Sequence, residues 1–172
     1  MGAILAERVL ELAINRRNAR LLRERGALWL AHDGFALILA SQMLLFTLTS
    51  AEVAWAPWSG ERGLWTWALV GLLVAAQALR YWCIATLGWR WSIRVVTVPG
   101  TPRIVGGPYR LFPHPNYVVV MVEAVLLPLA FGAWGTALVV APLQLAALWR
   151  RIRLEERALG AAEPAAPGRP SA

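Results

Sequence analysis

The chain has 172 residues, of which 58% are hydrophobic and only 16% charged, and its 17 basic residues, all arginine, leave a net charge of +7. That balance excludes an ordinary soluble globule and suits a protein embedded in a bilayer. The arginines fall between apolar runs, which points to membrane topology and away from a nucleic-acid groove; the single Cys83 excludes an intrachain disulfide and a cysteine-built metal site.

Residues 1–14 are mildly apolar but carry Glu7, Arg8 and Glu11, without the basic start and clean apolar centre of a signal peptide. They read as a short membrane or interfacial helix. Arg8 and Glu11 share a face there, either paired against protein or exposed as a surface pair. Residues 15–25 set five arginines against Glu24, which suits a helical extension lying on anionic headgroups. Asp33 and Gly34 open an apolar helix over residues 34–54, and residues 57–63 form a turn. A second apolar run covers 64–79 and continues as helix to Thr86. Residues 89–115 are the longest polar stretch inside the chain.

Residues 118–149 are 32 positions apolar apart from Glu123 and Gln144. One span needs about 20 residues, so this length is a tight helical hairpin, turning at Phe131-Gly132-Ala133-Trp134-Gly135. Residues 150–159 continue as a charged helix, and 160–172, rich in Ala, Pro and Gly, are expected to be disordered. The predicted fold is all-α. It is a polytopic transmembrane bundle of about five membrane helices, or four and one interfacial, with a C-terminal hairpin and a polar cytoplasmic loop. Residues 1–159 form one membrane domain.

Cytoplasmic loops carry excess arginine. Residues 15–32, 80–114 and the tail from Arg150 alternate across the predicted spans to one side and hold 15 of the 17 arginines. The loop at 106–117 and the segment 150–159 are thereby expected on the same membrane face, and the hairpin makes their helices neighbours.

That loop, Gly106-Gly-Pro-Tyr-Arg-Leu-Phe-Pro-His-Pro-Asn-Tyr117, is poor helix material, because three prolines remove donors and restrict the residues before them. His114 lies between two prolines with Tyr117 three residues on. Across the hairpin stand Arg150, Arg151, Arg153, Glu155 and Glu156, with Arg151 and Glu155 on one helix face. The plain alternative is that these arginines snorkel to headgroups. Glu123, inside an apolar helix, should face protein and meet a donor, for which Arg8 is a candidate. A structural interhelical bond is equally open to it. No metal motif, dinucleotide fingerprint or nucleophile elbow is visible.

Gly107-Pro108-Tyr109-Arg110, His114-Pro115-Asn116-Tyr117, a helical hairpin and Arg-x-x-x-Glu-Glu over 151–156 together resemble the isoprenylcysteine carboxyl methyltransferase family, integral membrane enzymes that use S-adenosylmethionine. Arg8-x-x-Glu11-Leu12, Arg17-Asn18 and Leu87-Gly88…Trp91-Ser92 are similar to its short bacterial branch. Pro113 stands where the family usually has arginine, and Arg110 or Arg103 are the cations at hand to replace it. The resemblance implies that Tyr109, His114, Pro115, Asn116, Tyr117 and Glu155 hold the cofactor, with Thr101, Arg103 and Ile104 contributing. It places Arg151, joined by Arg110, against the substrate. His114, Arg151 and Glu123 are the expected catalytic residues. The implied reaction is methylation of a carboxylate or hydroxyl oxygen of a lipophilic small molecule or lipid, at the cytoplasmic face of a bacterial inner membrane. Membrane lipids are the other expected partner, nucleic acid is not, and no metal is expected. Amine methylation of a phospholipid, a membrane reductase on the same scaffold and a catalytically inactive adaptor are the rival readings.

Overall fold

The computed structural model describes residues 2–55 and 63–162. Among these residues the chain forms α1 (Gly2–Glu24), β1 (Leu28–Trp29), α2 (Phe35–Trp55), α3 (Leu64–Leu87), β2 (Val96–Thr97), α4 (Pro115–Ala130) and α5 (Trp134–Ala162), with 3-10 turns at Gly88–Arg90 and Gly107–Arg110. The architecture is helical, as expected. Two stretches, Phe35–Trp55 and Leu64–Arg90, are long and apolar enough to cross a membrane, while α4 is a shorter apolar helix. The expected turn at 57–63 falls almost wholly outside the described residues. So does most of the tail: α5 runs through Ala162, and the remainder is not described.

The chain divides into two compact units. The first comprises Gly34–Thr86 and Val105–Ile152, and so contains α2, α3, α4 and the first part of α5. Its helices are apolar nearly all round. Ser41, Leu45 and Thr49, spaced four apart, are buried on one face of α2, while Leu37, Leu39, Met43 and Leu44 of the same helix are exposed. Water does not tolerate such a surface and lipid does. Contacts tie the four helices together. Near its end α2 presents Glu52, whose carboxylate accepts from the Gly135 and Thr136 backbone N–H groups at 2.9 and 2.7 Å and from the Thr136 hydroxyl at 2.7 Å. Those are orphan donors of the first turn of α5, so a carboxylate from another helix caps it. Gln77 and Arg80 of α3 both donate to Glu123 of α4.

The expected hairpin is α4 and α5. Gly132 has φ +77°, and at the end of α4 Gly132 N–H donates to Leu129 O at 3.0 Å and Ala133 N–H to Pro128 O at 2.8 Å. This glycine-dependent double bond satisfies the last carbonyls and reverses the chain within three residues.

The second unit comprises the described residues up to Asp33, Leu87–Ile104 and α5 from Arg153. α1 is one continuous helix through the segments read separately as 1–14 and 15–25. Arg8 pairs with Glu11 one turn on, at 2.8 Å. The buried face of α1 grips the segment after α3. Asn18 Nδ2 donates to Gly88 O and Trp91 O, both at 2.9 Å, and Asn15 Oδ1 accepts from Ile93 N–H at 3.0 Å. Asp33, 2% exposed, accepts from Arg94 Nε at 2.6 Å and Val95 N–H at 3.1 Å. These bonds draw Leu28 opposite Thr97 and Trp29 opposite Val96 in a two-residue antiparallel ladder. A ladder that short has no periodicity to read, and the sequence did not predict it.

Candidate active site

The loop of the first unit is built by its glycines and prolines. Gly106 is extended, and Gly107 takes φ +56°, where a Cβ would stand 2.5 Å from Thr86 Oγ1 of α3. Only glycine accepts both the left-handed backbone and the close approach. Pro108, fully buried, occupies the second position of the 3-10 turn, and Tyr109 N–H donates to Gly106 O at 3.1 Å. The turn holds Tyr109 in a hydrogen bond with Cys83 of α3. Arg110, at its end, is exposed.

His114 is then the N-cap residue of α4, with Pro115 at the first helical position, where a missing N–H costs nothing. Tyr117 follows one turn later, and its ring stacks on His114 with centroids 5.4 Å apart and planes 16° from parallel. Arg151, 6% exposed, reaches from α5: its Nε donates to the Tyr117 hydroxyl at 2.9 Å and its guanidinium carbon lies 5.9 Å from the Tyr117 ring centroid. Three residues predicted from two distant segments therefore meet. Asn116, beside them in sequence, has a buried Oδ1 with no hydrogen-bond partner among the described residues.

The first turn of α4 presents the positive end of its dipole, and Arg151, donating to Tyr117 of that turn, brings a full charge beside it. The cluster can hold a carboxylate or a developing oxyanion. His114 adds an imidazole whose ring nitrogens can donate or accept a hydrogen bond.

Thr101, Arg103, Ile104 and Glu155 belong to the second unit. There the Thr101 hydroxyl donates to Val98 O at 2.6 Å, and Arg103 pairs with Glu156 at 3.0 Å. Glu155 is half-buried. Glu123 lies nine residues beyond His114, about 13 Å along α4, and is 4% exposed. Its donors Arg80 and Gln77 were missed: the helix was expected to reach Thr86, as it does, but Arg80 was counted with the cytoplasmic arginines of residues 80–114, whereas it is buried inside α3. An arginine within a span, three residues after a glutamine on the same face, is the signal that pointed to it. Burial is tolerable because Glu123 neutralises its charge.

The family model described as isoprenylcysteine carboxyl methyltransferase (ICMT) family matches residues 69–161, which include α4, the loop before it and nearly all of α5. The chain is also 30% identical over 159 residues to a Bacillus subtilis (strain 168) protein described as uncharacterized protein YpbQ, covering 92% of this chain and 94% of that one. No solved structure matches. By the residues matched and by the relative that runs nearly its whole length, the chain belongs to the isoprenylcysteine carboxyl methyltransferase family.

Proposed function

We propose that the chain is an integral membrane methyltransferase that uses S-adenosylmethionine and methylates a carboxylate or hydroxyl oxygen of a lipophilic acceptor, its site facing the cytoplasm of a bacterial cell. The observation that carries this reading is the meeting of His114, Tyr117 and Arg151 at the first turn of α4. The donor set suits the cofactor. The partnerless Asn116 Oδ1 is a buried acceptor in want of a donor such as an ammonium or a ribose hydroxyl. The first turn of α4 with Arg151 suits a carboxylate.

Tyr109, His114, Pro115, Asn116 and Tyr117 would hold the cofactor; the family resemblance alone nominates Glu155, Thr101, Arg103 and Ile104 beside them. When bound, it supplies an electrophilic methyl group on a sulfonium. The protein aligns the acceptor and excludes water. Arg151, with the exposed Arg110 as a second cation, orients the acceptor oxygen. A carboxylate arrives ionised and needs no base; a hydroxyl gives its proton to an imidazole nitrogen of His114. Glu123, expected among the catalytic residues, is given a positioning part: with Arg80 it fixes α3 against α4 beneath the loop.

Isothermal calorimetry in detergent tests this. His114→Ala and Glu155→Ala are expected to abolish S-adenosylmethionine binding while the protein still inserts. Wild-type affinity in both variants refutes the site. Binding of NADPH in place of S-adenosylmethionine replaces the reading with a reductase.

A further inference from the structure

α1 carries a feature that methyl transfer does not use. Arg16, Arg20 and Arg23 are spaced four and three apart and share one helix face; all three are exposed. Among the described residues none of them makes an ion pair, although Glu24 lies four residues after Arg20. Like charges at this spacing repel. The helix is not free to rotate the stripe away, because Glu11, Asn18 and Leu22 on the other side are buried and Asn18 is bonded to two carbonyls. The face is held cationic until an anion reaches it.

The stripe ends at an apolar slot. The Arg23 guanidinium carbon lies 5.9 Å from the Trp29 ring centroid. Trp29 in turn lines a cavity of about 90 Å³ with Leu28, Leu30, Val95 and Thr97. That volume takes a short length of hydrocarbon and no headgroup. A cationic face joined through an indole to a hydrocarbon-sized slot matches the two ends of a phospholipid, and tryptophan is the residue that favours such a boundary. In sequence, residues 28–33 lead directly into the apolar Phe35–Trp55. Nucleic acid is the poorer fit. Its bases need open aromatic faces, and the indole of Trp89 is already taken by Arg25 at 3.8 Å and Arg90 at 5.2 Å.

We propose that this unit binds an anionic phospholipid, with its phosphate on Arg20 and Arg23 and the start of its hydrocarbon in the slot beside β1 and β2. The test uses the full chain, delipidated in detergent and titrated with dihexanoyl phosphatidylglycerol or dihexanoyl phosphatidylcholine, with bound lipid counted by native mass spectrometry. Phosphatidylglycerol binds more tightly to the wild type. Each basic residue near an anionic surface is worth about five-fold, so R20Q/R23Q lowers phosphatidylglycerol affinity about 25-fold; phosphatidylcholine, whose phosphate is offset by its own choline cation, loses less, and the preference disappears. R20K/R23K keeps the preference. Thr97→Phe, which fills the slot, weakens both lipids equally. Equal affinity of the wild type for the two lipids, or a preference that survives R20Q/R23Q, overturns the proposal. So does competition by glycerol 3-phosphate as strong as the lipid's own, since it has nothing for the slot, or displacement of the lipid by an oligonucleotide at equal concentration.

Discussion

Replacing Arg80 by methionine tests the reasoning about the buried pair most directly. Arg80 and Glu123 have side chains 4% and 5% exposed, on helices whose outer faces are apolar. Removal of the arginine leaves the Glu123 carboxylate with Gln77 as its donor from α3. Breaking one side of a buried pair costs about 3–5 kcal/mol, because the remaining charge loses the partner that compensated its desolvation. For a chain of this size each kcal/mol moves Tm by about 2–4 °C, so the fall is roughly 6–20 °C. Glu123→Leu should cost a similar amount by stranding Arg80. The double variant R80M/E123L removes both charges and should recover most of the loss, since apolar replacement of a whole pair is often near neutral. Thermal unfolding of the four proteins in one detergent gives the coupling. Strictly additive single effects refute the idea that these two side chains act on each other. Calorimetry on the double variant asks a second question: cofactor affinity that survives there marks the pair as positioning.

Gly107→Ala must adopt φ +56° and bring its Cβ to 2.5 Å from Thr86 Oγ1, a strain of about 1–3 kcal/mol; cofactor affinity should fall, and adding Thr86→Ala should restore part of it by removing the clash alone. Arg151→Lys loses the Nε that donates to Tyr117 and the planar fork behind it, so KM for an anionic acceptor should rise about ten-fold while cofactor affinity holds. An equal loss of both would move Arg151 to the cofactor side. In a Cys83→Ser background, cysteines placed at Leu111 and Arg157, both exposed, should react with an impermeant maleimide from the same side of the membrane. Reaction from opposite sides refutes the expected topology.

Sequence reasoning succeeded where one local rule decides the backbone. The length of residues 118–149 demanded a reversal, and Gly132 marked its place, because a helix end with φ +77° suits glycine. Proline on both sides of His114 set the start of α4 at Pro115. The loop that carries His114 and Tyr117 was legible for the same reason, since a segment that cannot be a regular helix stands out between those that can. Arg151 stood out by its charge and its spacing from Glu155, and its expected role came from the family resemblance. Two of the pairings, Arg8 with Glu11 and the hairpin itself, are near in sequence, and near pairs need only helix geometry.

What tertiary structure alone decided is which distant polar groups satisfy one another. That Glu123 needs a donor follows from its place in an apolar run; that Arg80 and Gln77 supply it depends on how α3 lies against α4. Nothing in residues 15–18 or at Asp33 announces that they hold residues 88–95 and so create a β-ladder. The resemblance nominated Arg103 for the cofactor, and packing paired it with Glu156. Burial, which a single sequence shows only through periodicity, is what turns such polar side chains into obligatory partners, because each donor or acceptor removed from water must find its counterpart in the folded chain.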